Sequence, residues 1–110
     1  MGKFIKGEII VVPFPFSDLS ASKRRPALVI ADLPGDDLIL CQITSQNVRD
    51  YMAVSVDVTD VDNGTLNVAS NVRPNRLFTA DENIVLYSLG NLKSNKLNEV
   101  ITKIVNMIQK

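Results

Sequence analysis

The sequence predicts a mainly β protein, a small half-open antiparallel barrel with a C-terminal helix. Short β-branched apolar runs are separated by Gly, Pro and Asp, and strands and helices do not alternate regularly. From Leu97 onwards the apolar residues recur at helical spacing instead. A chain of 110 residues buries enough surface for one core, so we expect a single domain spanning residues 1–110.

Three strands are predicted in the first half of the chain. Residues 8–12 and 26–31 are apolar runs that are too short for helices. Residues 37–43 follow a turn signal at residues 33–36, so the second and third strands should form a hairpin. The segment 13–25 carries no predicted secondary structure, and a loop of that length in a compact domain is often functional.

The second half predicts shorter strands and the helix. Residues 53–58 alternate between apolar and polar side chains, which indicates a strand with one wet face. A turn is expected at residues 62–64, and further strand segments at 67–72, 76–78 and 84–87. The helix carries one apolar stripe, with Ser94 or Asn95 as its expected N-cap.

Composition narrows the possible chemistry. The chain has no histidine, which removes the commonest general acid and base, His-containing zinc sites, and Ser-His or Cys-His nucleophiles. The single cysteine, Cys41, cannot pair within the chain, which favours a reducing, cytoplasmic setting. No apolar stretch approaches the length of a membrane span, and the first residues do not form a signal peptide.

The charges balance overall but are unevenly placed. The chain has 12 basic and 12 acidic residues, yet residues 32–63 carry seven acidic groups and one basic group. The two flanking segments each have an excess of basic groups. If they meet in space, a neutral protein can carry a positive groove, and the alternative is a mixed, solvated surface.

Three consecutive cations, Lys23, Arg24 and Arg25, stand immediately before the second strand. The sheet holds such a side chain at its base, so its charge can be aimed at a phosphate, and Arg25 is the best placed of the three. The alternative is that the cations protect an aggregation-prone strand.

Two further polar clusters are candidates for binding. Thr44 begins a run of neutral hydrogen-bonding side chains, residues 44–47, that suits base edges, ribose hydroxyls and phosphate oxygens. An ordinary turn would have the same composition. Residues 70–76 contain two arginines, Arg73 and Arg76, with the alternative of a surface loop whose arginines pair with Asp81 or Glu82.

Two other features have competing interpretations. Phe14 and Phe16 flank Pro15 and are either base-stacking platforms or core and interface residues, and their apolarity favours a homodimer. The acidic run at residues 57–64 suggests calcium, but its carboxylates do not follow EF-hand spacing.

These segments together resemble the MazF/PemK toxin family. The resemblance rests on Gly-Glu-Ile-Ile-Val-Val-Pro-Phe-Pro-Phe-Ser-Asp-Leu at residues 7–19 and Lys-Arg-Arg-Pro-Ala-Leu-Val-Ile at 23–30. It continues with Ile-Thr-Ser at 43–45, the segment 70–81 and the closing helix. The resemblance implies a metal-free, cofactor-free, sequence-selective endoribonuclease that cuts single-stranded RNA, acts as a homodimer and is neutralised by an antitoxin.

The resemblance also implies roles for particular residues. Arg25 matches the family's catalytic arginine and Thr44 its catalytic threonine. The expected RNA contacts are Phe16, Ser17, Ser22, Lys23, Arg24, Ser45, Gln46, Arg73, Asn75 and Arg76. The sequence departs from the family at Asn75, where some members have a carboxylate, and at Phe78, where an arginine is frequent.

Such an enzyme needs no external nucleophile, because the ribose 2′-hydroxyl attacks its own phosphate. The products would be a 2′,3′-cyclic phosphate and a 5′-hydroxyl end. Asp18 and Glu8 are the candidates for the base. The alternatives are a CcdB-type toxin that inhibits DNA gyrase by binding it, and an RNA-binding module that does not cut.

Overall fold

In the computed structural model, residues 3–14, 23–46 and 51–110 are described. Within these ranges, one sheet contains all the strands, in the order β4-β6-β3-β2-β1-β7-β5, and every neighbouring pair is antiparallel. The strands are β1 (Glu8–Phe14), β2 (Lys23–Asp32), β3 (Asp37–Thr44), β4 (Val54–Val56), β5 (Val61–Asp62), β6 (Ser70–Asp81) and β7 (Tyr87–Leu92). The helix α1 spans Ser94–Ile108, and two 3-10 helices span Val58–Asp60 and Glu82–Ile84. The sheet curls into a half-barrel, so the predicted fold class is confirmed.

The sheet buries apolar side chains on both of its faces. One cluster includes Ile9, Leu28 and Ile43 and is covered by Val100 and Ile104 of α1. The other cluster is formed by alternate residues of the same strands: Ile10, Val12, Ala27, Val29, Leu38, Leu40 and Ala80. Because successive side chains of a strand point to opposite faces and both faces are buried, β1, β2 and β3 each contain a continuous apolar run.

The hairpin of β2 and β3 is confirmed, and its turn has Gly35 at a φ of 84°. The length of β2 was predicted wrongly. It begins at Lys23, three residues before the apolar run, because the cations pair with the end of β1. Lys23, Arg24 and Arg25 therefore lie in a strand rather than in a loop.

The second half of the chain differs more from the prediction. The predicted segments 67–72 and 76–78 are parts of one strand, β6, which begins at Ser70. The predicted strand at 84–87 is mostly a 3-10 helix and a connection, and β7 begins only at Tyr87.

The acidic run at residues 57–64 has a structural role. Asp57 Oδ1 accepts a hydrogen bond from Val58 N, and Asp60 Oδ2 accepts one from Asp57 N at 2.8 Å, so the two carboxylates cap a 3-10 helix. This helix replaces the end of the strand predicted at 53–58. In the described ranges, no three acidic or cysteine side chains are grouped to hold a metal ion.

The amphipathic helix is present, but its predicted N-cap is wrong. Ser94 is already helical, and Lys93 occupies the N-cap position without a side-chain hydrogen bond to the helix. The apolar stripe packs Val100 and Ile104 into the core as expected. In the part of the chain that the structure describes, no helix is long and apolar enough to span a membrane.

Candidate functional site

The candidate site lies where the start of β2 meets the end of β3. Ala27 pairs with Gln42 in the antiparallel ladder of these strands. This is the last pair of the ladder, and Arg25 and Thr44 each lie two residues beyond it, Arg25 before Ala27 and Thr44 after Gln42. Side chains two residues apart on a strand share a face. Residues at level positions of an antiparallel pair point to the same face, so the sheet directs both side chains the same way.

Thr44 is held by its own turn. The residue is only 8% exposed, and its Oγ1 accepts a hydrogen bond from Gln46 N at 3.2 Å. The hydroxyl proton is not used in that bond, so the hydroxyl can still donate to a bound anion. Ser45 and Gln46, the next two residues, are exposed beside it.

Two residues that the sequence did not single out extend this polar row. Asn71 of β6 pairs directly with Thr44, and Ser55 of β4 pairs with Asn71. Asn71 Nδ2 donates to Gln46 O at 3.3 Å, and Ser55 Oγ donates to Asn71 Oδ1 at 3.5 Å. A polar row therefore crosses four strands, from Arg25 through Thr44 and Asn71 to Ser55. It depends on strand register, which local composition does not reveal.

The two arginines of β6 lie in an irregular part of the strand. The ladder between β3 and β6 shifts register between Cys41 and Ile43, and residues 73–76 form the additional length of β6 there. Arg73 and Arg76 line a cleft of about 430 Å³ together with Gln42, Leu77 and Phe78. A surface loop was the alternative interpretation of residues 70–76, but both arginines lie within β6.

Cys41 lies beneath this irregular segment. Its Sγ donates a hydrogen bond to Arg73 O at 2.9 Å, which ties the start of the segment to the core. Burial raises the pKa of the Cys41 thiol to about 12. The thiol is therefore neutral at physiological pH and unsuited to act as a nucleophile.

The structure also shows where the two residues that depart from the expected family pattern lie. Asn75 is exposed in the irregular segment. Phe78 is partly buried and packs against the second hydrophobic cluster, so a hydrophobic contact occupies the position where an arginine was expected. Sequence composition alone does not indicate this packing.

A second cavity, of about 280 Å³, lies at the start of β2, and its lining includes Arg24 and Arg25. Its apolar lining includes Val11 and Pro26, and Tyr87 lies at its edge with 48% of its surface exposed. Lys23 is exposed one residue before Arg24.

Charge is separated along the length of the sheet. Lys23, Arg24 and Arg25 stand at one end of β2, and four aspartates stand at the opposite end of β2, β3 and β6: Asp32, Asp36, Asp37 and Asp81. Arg25 and Asp32 are seven residues apart, about 23 Å along an extended strand. The neutral chain thus presents a basic end to an anionic ligand.

Four of the predicted site residues lie outside the described residues: Phe16, Ser17, Asp18 and Ser22.

The other candidate base, Glu8, lies at the start of β1, four residues before Val12, which pairs with Arg25. It is therefore about 13 Å away along the strand, too far to act as a base at Arg25 and Thr44.

Residues 5–108 match the model of the PemK-like, MazF-like toxin family of type II toxin-antitoxin systems. This chain belongs to the PemK/MazF-like toxin family. The match does not favour the alternative of a CcdB-type gyrase inhibitor. No curated protein matches this toxin at a significant level.

Solved structures share the fold of this PemK/MazF-like toxin. A mycobacterial endoribonuclease in complex with its cognate antitoxin superposes with a TM-score of 0.76, 11% identity, and coverage of 96% of this chain and 95% of that chain. The Mycobacterium tuberculosis toxin MazF-mt6 gives a TM-score of 0.73, 18% identity and coverage of 93% and 96%. The MazE-MazF structure from Deinococcus radiodurans gives 0.75, 20% and coverage of 94% of each chain. At these identities the likeness concerns the fold.

Proposed function

We propose that this toxin is a sequence-selective endoribonuclease that cleaves single-stranded RNA without a metal ion. The observation that carries the proposal is the register of β2 and β3, which places Arg25 and Thr44 on one face, each two residues beyond the Ala27–Gln42 pair, at the basic end of the sheet. The solved structures of similar fold include chains described as endoribonucleases and MazF toxins.

The reaction that suits these groups is attack of the ribose 2′-oxygen on the adjacent phosphorus. The O2′–P bond forms, the P–O5′ bond breaks, and a proton passes from the 2′-hydroxyl to a base while the 5′-oxygen gains one. The products are a 2′,3′-cyclic phosphate and a 5′-hydroxyl. A chain without histidine can support this chemistry, because positioning and charge stabilisation provide most of the rate enhancement.

In this proposal, Arg25 binds the phosphate and stabilises the negative charge that grows on its oxygens. A guanidinium does not readily give up a proton, so we assign Arg25 charge stabilisation rather than acid catalysis. Thr44 donates its hydroxyl proton to a phosphate oxygen, since its Oγ1 lone pair already accepts from Gln46 N. Lys23, Arg24, Ser45 and Gln46 contact neighbouring nucleotides.

We further propose that the toxin forms a homodimer in the cytoplasm and is inhibited by a cognate antitoxin. Ile84, Leu86 and Tyr87 are exposed apolar side chains close together in sequence, which suits a protein interface. One similar mycobacterial structure contains an endoribonuclease with its cognate antitoxin, and the Deinococcus radiodurans structure contains MazE with MazF. Sedimentation equilibrium would test the dimer, with a single monomeric species as the contrary result.

Substitution of the two proposed catalytic residues tests the enzymatic function. Arg25→Ala should lower the cleavage rate at least about 100-fold, the usual effect of removing one group that stabilises transition-state charge. Thr44→Val, which removes a hydroxyl at similar volume, should lower the rate by a smaller factor. The matched control is Arg24→Ala, the neighbouring exposed arginine, for which we expect a reduction of a few-fold.

The fold of each variant is checked by its thermal unfolding temperature. Full cleavage by folded Arg25→Ala would exclude the assigned role. RNA binding without new ends in the wild-type toxin would indicate a binding module that does not cut.

A further inference from the structure

The cleft on the irregular part of β6 has no role in the reaction just proposed. We call it the Gln42 cleft, and its lining is Gln42, Arg73, Arg76, Leu77 and Phe78. Its volume is about 430 Å³. Among the described residues that line it, none is acidic and two are arginines, so the cleft suits an anionic ligand.

The Gln42 cleft lies on the same face of the sheet as the proposed catalytic residues. Gln42 precedes Thr44 by two residues on β3, and side chains two residues apart on a strand share a face. Its partner Ala27 stands in the same relation to Arg25. Gln42 therefore lies about 7 Å from Thr44 along β3.

The chemistry of the lining matches the phosphate and the base of a nucleotide. Arg73 and Arg76 can bind a phosphate, and the partly exposed ring of Phe78 offers a surface for base stacking. Gln42 is a polar residue in the otherwise apolar centre of β3. Within the described chain its amide makes no side-chain hydrogen bond, which leaves one acceptor and two donors for a base edge.

We propose that the Gln42 cleft binds the nucleotide next to the cleaved phosphate and that Gln42 selects its base. The proposal rests on the proposed endoribonuclease function. A glutamine amide pairs with adenine through two hydrogen bonds, one to N6 and one to N7, so adenine is the base it selects. Gln42 is thus a specificity-determining residue, and the arginines hold the nucleotide without reading its base.

Mapping the cut sites of the toxin in a long mixed-sequence RNA tests this assignment. Wild-type toxin should show a preference for adenine at one position beside the cut. Gln42→Ala should reduce that preference for adenine at least several-fold, and the variant should still cleave at sites with other bases at that position. Gln42→Glu should move it towards cytosine, whose N4 donates to a carboxylate.

The control is Gln109→Ala, which changes an exposed glutamine at the C-terminal end of α1. It should leave the cut-site profile unchanged. An unchanged profile in folded Gln42→Ala would overturn the proposal. Arg76→Ala should weaken binding to all sequences alike and reduce the salt dependence of binding, without changing the preferred base.

A binding experiment separates failure of this proposal from failure of the proposed function. If wild-type toxin does not cut, it is incubated with a random pool of single-stranded RNA, and the bound sequences are determined. Enrichment of adenine that disappears in Gln42→Ala would support the cleft as a base-selective site in a non-cutting protein. The same enrichment in both proteins, or none in either, would overturn it.

Discussion

At the scale of single residues, Cys41 is buried with its thiol hydrogen-bonded to Arg73 O. Its pKa of about 12 lies above the value of about 8.5 expected in the unfolded chain. The folded state thus favours the protonated thiol. The contribution to stability is complete below about pH 8 and is lost as the pH rises towards 12.

We predict that the free energy of unfolding falls more steeply above pH 9 in the wild type than in Cys41→Ala. The difference in slope should approach about 1.4 kcal/mol per pH unit, the value for one proton. Urea unfolding of both proteins from pH 7 to pH 11 measures it. Comparing slopes removes the constant cost of the cavity that the alanine leaves. Parallel curves would show that the Cys41 thiol is not held protonated by the fold.

The sequence identified Arg25 and Thr44 as candidates because charge and hydroxyl groups stand at the ends of apolar runs. It did not identify Asn71 or Gln42 as members of the same face. Their positions depend on the register shifts in the ladders of β3, one near Val29 and one near Cys41. These irregularities result from packing across the sheet, and local residue patterns do not specify them.

At the scale of elements, the segment after β5 lies against β7 through two glycines. A methyl group at Gly64 would overlap the carbonyl oxygen of Leu89, and one at Gly90 would lie 2.7 Å from Asp62 O. Thr65 N donates to the same Leu89 oxygen at 2.9 Å. The contact is between backbones, so a larger side chain cannot be accommodated by a rotamer change.

We predict that Gly64→Ala lowers the free energy of unfolding by about 3 kcal/mol, because β7 and the turn must separate. The comparison is Gly35→Ala in the hairpin turn. Open space surrounds Gly35, and only its positive φ of 84° opposes a side chain. That change should cost about 1 kcal/mol. Urea denaturation of both variants measures the difference, and equal costs would contradict the close backbone contact.

Continuous apolar runs predicted the first three strands, and the helical spacing of apolar residues predicted the helix. β6 was predicted as two segments because Arg73, Pro74 and Asn75 interrupt its alternation where the strand is irregular. The start of β2 was missed because its three cations are unusual strand residues. They are extended through their pairing with β1.

At the scale of the whole molecule, the sheet separates its charges between its two ends. The unequal distribution of charge along the sequence allowed either a positive groove or a mixed surface, and only the antiparallel register shows where the charges lie. The aspartates gather at one end because the β2–β3 turn brings Asp32, Asp36 and Asp37 together. The Arg25 end is about 23 Å away, beyond the Debye length of about 8 Å at physiological ionic strength.

We predict that charge reversal at the two ends has unequal effects on RNA binding. Arg24→Glu should weaken binding at least about 10-fold at 0.15 M salt and reduce its salt dependence, because a phosphate contact is lost. Asp36→Lys adds positive charge at the far end and should change affinity less than about two-fold. Fluorescence anisotropy with a labelled RNA measures both. Similar effects of the two changes on binding would show that RNA does not bind at the basic end.

The chemistry of the cut ends tests the proposed mechanism most directly. Purified toxin is incubated with a mixed-sequence RNA in EDTA, and the new ends are examined for cyclic phosphate and 5′-hydroxyl groups. We predict discrete cuts that persist in EDTA, leave a 2′,3′-cyclic phosphate, and disappear in Arg25→Ala. Cuts that require a divalent metal, or that leave a 5′-phosphate, would contradict attack by the 2′-hydroxyl.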